Sequence, residues 1–348
     1  MLVQVVKIIS IFLLSFAAAT ALTPIVFRLL KKFGVKKQIK SAEAAPVFAS
    51  LHSKKAGTPT MGGIIIWAAV LIVVLLTSLA ANLFGGRFVH LNIVNRAETY
   101  LPILALVFAA LVGLADDILG VLRIGPKGGG LSMRIRLSVY AVMGGIGAFW
   151  FFSPRFLDWH VLHVPFFGNF DIGWWYVPFF IFIIMASAFS ANETDGLDGL
   201  LGGVSIFIFA ALGIIAFLMG RYDLAAFTGA IIGALIAFLW NNVNPAKFFM
   251  GDTGSMCLGI TMGIIALLTN SALLLPFIAF IPMMESITVI IQKVYKKVFK
   301  KKLFLSTPIH HHFEAIGMPE TQITMRAWII AWVSASVGLV IFLLDLIL

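Results

Sequence analysis

Residues 101–117 read LPILALVFAALVGLADD, an apolar run from Leu101 to Ala115 closed by two carboxylates, Asp116 and Asp117. The run has the composition of a segment that sits in hydrocarbon, and it approaches the roughly 20 residues a helix needs to cross a bilayer. Adjacent carboxylates at such an edge are costly, because each must find water, a metal or a cationic partner before it can stay ionised. The stretch therefore reads as a membrane span ending at a site.

The rest of the chain agrees with that reading. Of 348 residues, 61% are hydrophobic and 11% charged, against about a quarter charged in soluble globular proteins. Mean hydropathy is +1.04. Apolar windows recur at 4–30, 61–84, 99–117, 136–153, 173–191, 199–219, 223–241, 255–271, 272–292 and 327–347. They predict an all-α, polytopic integral membrane protein of about ten transmembrane helices, forming one domain over residues 1–348. Only Thr269-Asn270-Ser271 divides the eighth window from the ninth, and Pro276 and Pro282 predict a kink in the ninth, which also carries Glu285. The apolar run from Ile8 to Leu30 is longer than a signal-peptide core and has only Lys7 before it, so it is read as a retained span.

Charge orients the bundle. With about ten spans, the segments at about 31–60, 118–135, 192–198, 242–254 and 293–326 share one face. Together with Arg28 and Arg136 at its edges, that face holds 20 of the 25 Lys and Arg residues, leaving Lys7, Arg87, Arg96, Arg155 and Arg221 on the other. The positive-inside rule puts the first face in the cytoplasm and both termini on the periplasmic side. The net charge of +10 is accounted for beside the membrane, so no nucleic-acid partner is expected. The run Lys293 to Lys302 reads as an amphipathic basic helix at the membrane surface, drawn to anionic lipid headgroups by about 1 kcal/mol per basic residue. Cys257, the only cysteine, lies in an apolar run and reads as a packing residue.

The same face gathers Asp116, Asp117, Glu193, Asp195, Asp198, Asp252, Glu314 and Glu320. The orientation rule does not require this, since acidic residues carry little topological information. Asp116-Asp117 either caps a loop and meets Arg123, Lys127, Arg134 or Arg136, or supplies hard oxygen ligands to magnesium beside a phosphate. In Asn192-Glu193-Thr194-Asp195-Gly196-Leu197-Asp198-Gly199-Leu200, a helical turn would put Asp195 and Asp198 on one face, and the glycines permit close backbone approach. The loop Asn242 to Ser255 places Gly251-Asp252-Thr253-Gly254 before a helix, offering N-terminal amides to phosphate and Asp252 to a metal. Thr58-Pro59 reads as a cap and first position of the second span, with Gly62-Gly63 allowing another segment close to it. His310, His311 and His312 would point in different directions on a helix, which argues against one metal held by all three. They suit hydrogen bonds to phosphate or sugar oxygens.

The ordered set of Gly57 to Gly63, Asp116-Asp117, Asn192 to Leu200, Pro245 to Ser255 and Pro308-Ile309-His310-His311-His312-Phe313-Glu314 resembles the phospho-N-acetylmuramoyl-pentapeptide transferases. The triple histidine after Ser306-Thr307-Pro308 separates that family from the related polyprenyl-phosphate N-acetylhexosamine-1-phosphate transferases. The resemblance implies a magnesium-dependent enzyme of the bacterial inner membrane, commonly a homodimer. It would transfer phospho-MurNAc-pentapeptide from UDP-MurNAc-pentapeptide to undecaprenyl phosphate, giving lipid I and UMP. It implies catalytic roles for Asp116, Asp117 and Asp252, with Asp252 and Asp117 toward the metal. Lys55, Thr58, Asn192, Asp195, Asp198, Asn242, His310, His311 and His312 would line the nucleotide and phosphate pocket. Two positions depart from the family's usual pattern: Phe189 stands where it has Asn, and Glu193 where it has Leu. Direct attack by the lipid phosphate is the expected mechanism, with a phospho-aspartate route as its alternative and a lipid or ion transporter as the rival from another class.

Overall fold

The computed structural model describes residues 1–36, 55, 57–94, 97–126 and 129–348; Lys37, Lys40, Lys54, Arg96 and Lys127, counted above, lie outside them. The helices are α1 (Leu2–Lys32), α2 (Ile64–Phe84), α3 (Ala97–Val121), α4 (Met133–Phe152), α5 (Tyr176–Thr194), α6 (Leu200–Leu218) and α7 (Tyr222–Asn242). They continue with α8 (Asp252–Leu268), α9 (Leu275–Ile278), α10 (Phe280–Phe299), α11 (Ile309–Ala315) and α12 (Glu320–Ile347). Every apolar window of the sequence is helical. Among the described residues eight helices are long and apolar enough to cross a membrane, and the bent pair Ala272–Ile278 and Phe280–Phe299 makes a ninth.

The remaining window is α8, at 17 residues about 25 Å long. It is the hub of the bundle: Thr253 to Leu268 are all buried, packed between α3 and α5. Beside it α7 packs on α1 and α6. A helix enclosed by protein on all sides can be short and apolar all round, because its neighbours replace the lipid. The outermost large side chains, such as Leu75, Phe108, Ile146, Phe182 and Trp240, are exposed, as lipid-facing positions are.

The kink expected in the ninth window is present and severe. The chain breaks at Ala279 and turns by 89°. Pro276 and Pro282 fall in the first turns of α9 and α10, where a missing N–H costs no helical hydrogen bond.

Three expectations need correction. Asp116 and Asp117 do not end their helix, since α3 continues through Ile118 and Leu119 to Val121 and the chain turns at Arg123, with φ 58°. Thr58-Pro59 does not cap α2, which starts at Ile64 after Gly63. Instead Pro59 bridges Lys36, and the 59–63 segment runs alongside 249–250, with Phe249 N donating to Pro59 O and Gly62 N to Phe249 O, each at 2.8 Å. The expected close approach at Gly62-Gly63 does occur, because a Cβ on Gly63 would lie 2.4 Å from Gly254 Cα. Asp195 and Asp198 do not share a helical turn: α5 stops at Thr194, and 195–199 is an irregular turn closed by left-handed Gly199. Finally, a hairpin of Val161–Val164 and Gly168–Asp171 was unforeseen, its four-residue strands being too short for an alternating pattern to register.

Candidate active site

The site begins where α3 meets the start of α8. A Cβ on Gly113 would stand 2.2 Å from Asp252 O, so only glycine lets the two helices come this close. One turn later Asp117 reaches across: its Oδ1 accepts from Asp252 N at 3.1 Å and its Oδ2 from Thr253 N at 3.0 Å. A carboxylate at a helix N-terminus satisfies orphan amides and complements the helix dipole. The amides expected to be free for phosphate are therefore taken, and Gly251 N is taken too, by Asp195 Oδ2 at 3.2 Å. Gly113→Val should force α3 off α8 and break this cap. The expected result is loss of activity with a lowered unfolding temperature, and a folded, active valine variant would show the close approach to be dispensable.

Three helices converge on Arg136, in the first turn of α4. Its Nη2 donates to Asp252 Oδ2 at 2.9 Å and its Nη1 to Asn192 Oδ1 at 3.1 Å. Its Nε forms an ion pair with Asp116 Oδ2 at 2.7 Å, without the alignment of a hydrogen bond. Asp116 is almost fully buried, and its other oxygen accepts from Leu131 N at 2.6 Å. Asn192 links the same group to α8, donating through Nδ2 to Asp252 Oδ1 and Ser255 Oγ. The Asp252 carboxylate keeps 21% of its exposure, so a ligand can reach it, unlike the enclosed Asp116. Asp252, with Asp117 at the same helix start, would supply the one or two carboxylates that magnesium takes before water and phosphate complete its shell. Among the described residues no three acidic, His or Cys side chains form a closed metal cage.

A second cluster sits on the other side of the 195–199 turn. Lys55 Nζ pairs with Asp198 Oδ1 at 2.7 Å and with Glu320 Oε1 at 2.5 Å. Asp198 Oδ2 accepts from Asn244 Nδ2 and Ala246 N, each at 3.1 Å. Asn242 is a brace rather than an open ligand: Gly199 N donates to its Oδ1 at 3.1 Å and its Nδ2 donates to Phe248 O at 2.9 Å.

The histidines diverge as their spacing predicts. His310 is buried, with Nδ1 2.9 Å from Glu285 Oε2. His311 Nδ1 is 2.6 Å from Glu314 Oε2. His312 Nδ1 accepts from Leu305 N at 3.3 Å and so braces its own loop. Burial works against a charged His310, yet the carboxylates of Glu285, Glu314 and Glu193 outweigh it and hold the ring's pKa above the usual imidazole value.

A family model described as glycosyl transferase family 4 matches residues 100–270, and a phospho-N-acetylmuramoyl-pentapeptide-transferase signature matches residues 55–66. The chain is 34% identical over 331 residues to the phospho-N-acetylmuramoyl-pentapeptide-transferase of Shouchella clausii, covering 95% of this chain and 96% of that protein. It is 37% identical over 306 residues to the one of Borreliella burgdorferi, covering 82% of each, and 34% identical over 323 residues to that of Methylacidiphilum infernorum, covering 87% of this chain and 84% of that protein. The chain belongs to the phospho-N-acetylmuramoyl-pentapeptide transferase family.

In this transferase the structure joins most of the residues singled out in the sequence. Asp116, Asp117, Asn192 and Asp252 form the first cluster, with Asp195 attached through Gly251. Lys55 and Asp198 form the second, and Thr58 N donates to Lys55 O at 3.2 Å beside it. His310 faces Gly196 in the turn between them, whereas His312 turns away. Sequence reasoning offered Arg136 as one of four basic residues that Asp116-Asp117 could meet, which the ion pair with Asp116 bears out; it counted Glu320 only among the cytoplasmic-face acids and passed over Asn244. The usable signal for Arg136 was an arginine opening an apolar window, in the first turn of its helix, a position that demands a partner.

Proposed function

We propose that the chain transfers phospho-MurNAc-pentapeptide from UDP-MurNAc-pentapeptide to undecaprenyl phosphate, forming lipid I and UMP for peptidoglycan synthesis. The site would lie at the cytoplasmic face of the bacterial inner membrane, with both termini periplasmic and the chain acting as a homodimer. The convergence of Asp116, Asn192 and Asp252 on Arg136 carries the reading. Each of these residues comes from a different helix, and together they form a fixed, polar, partly open centre at one end of an apolar bundle.

Both substrates are anionic, so catalysis of this phosphoryl transfer rests on positioning and charge neutralisation. Asp252, with Asp117 beside it, would hold magnesium, and bound magnesium would offset charge on the donor pyrophosphate. The lipid phosphate has a second pKa of about 6 and is mostly a dianion at neutral pH, so it needs little help from a base. The Asp116 carboxylate is fully enclosed, with one oxygen on Leu131 N and the other beside Arg136, so no substrate reaches it. Its part is to aim the guanidinium at the reacting phosphates. Lys55, held between Asp198 and Glu320, presents the second positive charge to the nucleotide.

The transporter alternative needs a coupling residue at mid-membrane. Its one candidate, Glu285, is bound to His310 of the site instead. The deciding assay offers purified chain UDP-MurNAc-pentapeptide or a UDP-N-acetylhexosamine, each with undecaprenyl phosphate, with and without magnesium. UMP should appear only with the first donor and only with magnesium. Release from the hexosamine donor alone would reassign the chain to the sibling activity, and phospho-protein trapped in the absence of lipid would replace direct attack with a covalent route.

A further inference from the structure

Glu285 is a buried carboxylate, 3% exposed, in the first turns of α10 just beyond the 89° bend. No step described above uses it. Its Oε2 meets His310 twice, at Nδ1 (2.9 Å) and at the backbone N–H (3.4 Å). At the far side of the ring, Nε2 is buried and has no hydrogen-bond partner among the described residues. An orphaned polar atom in a buried site calls for an explanation, because leaving it unpaired costs about 1–3 kcal/mol. Nε2 is directed at the turn that carries Asp195 and Asp198: a Cβ on Gly196 would stand 2.1 Å from it. Glycine at 196 therefore lets the ring's outer edge lie directly against this turn, where any other residue would push it away.

A carboxylate at Nδ1 decides which nitrogen carries the proton and how the ring is turned. Around His310 the charged and titratable neighbours are Glu285 from α10, Glu314 and His311 from α11, and Glu193 from the end of α5. His311 is itself engaged with Glu314.

We propose that Glu285 is a positioning residue: it fixes the proton on Nδ1 of His310 and turns Nε2 toward an oxygen of the donor's pyrophosphate bound over the Asp195–Asp198 turn. The proposal rests on the transferase reading. The charge balance around the ring supports it, since imidazolium offers Nε2–H to an anionic oxygen and neutral Nδ1–H imidazole does not. His310 is held above its ordinary pKa, so this form is present at low pH and is lost as pH rises through the raised value.

The test is the pH profile of kcat/KM for UDP-MurNAc-pentapeptide, measured as UMP release by the purified full-length chain. Wild type should lose kcat/KM on an alkaline limb. In Glu285→Gln that limb should move to lower pH by about one unit or more, an effect of about tenfold at pH values between the two limbs, while KM for the lipid acceptor holds. Glu285→Asp should restore most of the limb. Because Glu285→Gln could also weaken folding, Glu285→Gln is repeated in a His310→Gln background. A residue that acts through His310 costs nothing further there. A uniform loss with the limb in place, or additive losses in the double variant, would overturn the proposal. Failure of wild type to release UMP from this donor would instead overturn the transferase reading.

Discussion

Asp252→Asn is expected to lower kcat for UMP release by about 10²–10³-fold, the usual effect of removing a group that meets developing charge. Asp252 receives hydrogen bonds from two donors at once, Arg136 Nη2 and Asn192 Nδ2. Asparagine keeps the size but holds one acceptor oxygen, so its own NH₂ must face one of those donors. The substitution also makes the centre more positive by one unit and removes a carboxylate that would hold magnesium. The magnesium concentration giving half-maximal rate should therefore rise, with partial recovery at high magnesium. Stability should change little, because the contacts that dock α8 on α3 run from the backbone amides of Asp252 and Thr253 to Asp117. Initial rates across a magnesium series, paired with thermal unfolding, check both halves. A variant within roughly threefold of wild type at every magnesium concentration would remove Asp252 from the reaction.

The sequence made the helices readable for a simple reason: in hydrocarbon every backbone polar group must be satisfied within its own segment, so an apolar window can only be a helix or part of a barrel. Even the break at Ala279 was visible, through Pro276 and Pro282. Composition cannot distinguish a lipid-facing helix from an enclosed one, which is why the short α8 counted as an ordinary span and proved to be the buried hub. The site residues were visible as residue types that hydrocarbon does not tolerate. Of their partners only Arg136 was named, as one of four basic candidates for Asp116-Asp117, because pairing depends on which helices meet. Asp117 was read as a metal or loop residue and is also the cap of a helix 135 residues further on. Asp195 and Asp198 were assigned one face by helical spacing, and Gly199 at φ 75° sends them to different partners. The glycines at 63, 113 and 196 are where sequence and structure connect most tightly. Each stands where a neighbouring backbone or ring leaves no room for a Cβ, and without that contact the clusters around Arg136 and His310 would not assemble.

Arg136→Ala should separate the structural and chemical parts of the centre. The Asp116 carboxylate has no exposure at all, and Arg136 is 22% exposed. Deleting the arginine leaves a buried charge without its cation, which costs about 3–5 kcal/mol for fully enclosed pairs. Solvent reaching Arg136 places this pair toward the lower end, about 3 kcal/mol. The rate should fall further than stability alone explains, since Asp252 and Asn192 lose their common partner and, on the proposed mechanism, the lipid phosphate would lose a positive charge. Arg136→Lys should recover part of the stability and little of the rate, because one ammonium cannot address three acceptors on three helices. The decisive variant is Arg136→Ala with Asp116→Asn. Asparagine can still accept from Leu131 N while carrying no charge, so the double variant should unfold at a higher temperature than Arg136→Ala and remain as inactive. If the double variant were no more stable than the single one, the cost of Arg136→Ala would lie in lost packing, and Asp116 would not be the residue that makes an arginine necessary at this position. If instead the double variant regained activity, the guanidinium would act only to neutralise Asp116, and its proposed contact with the reacting phosphates would fall.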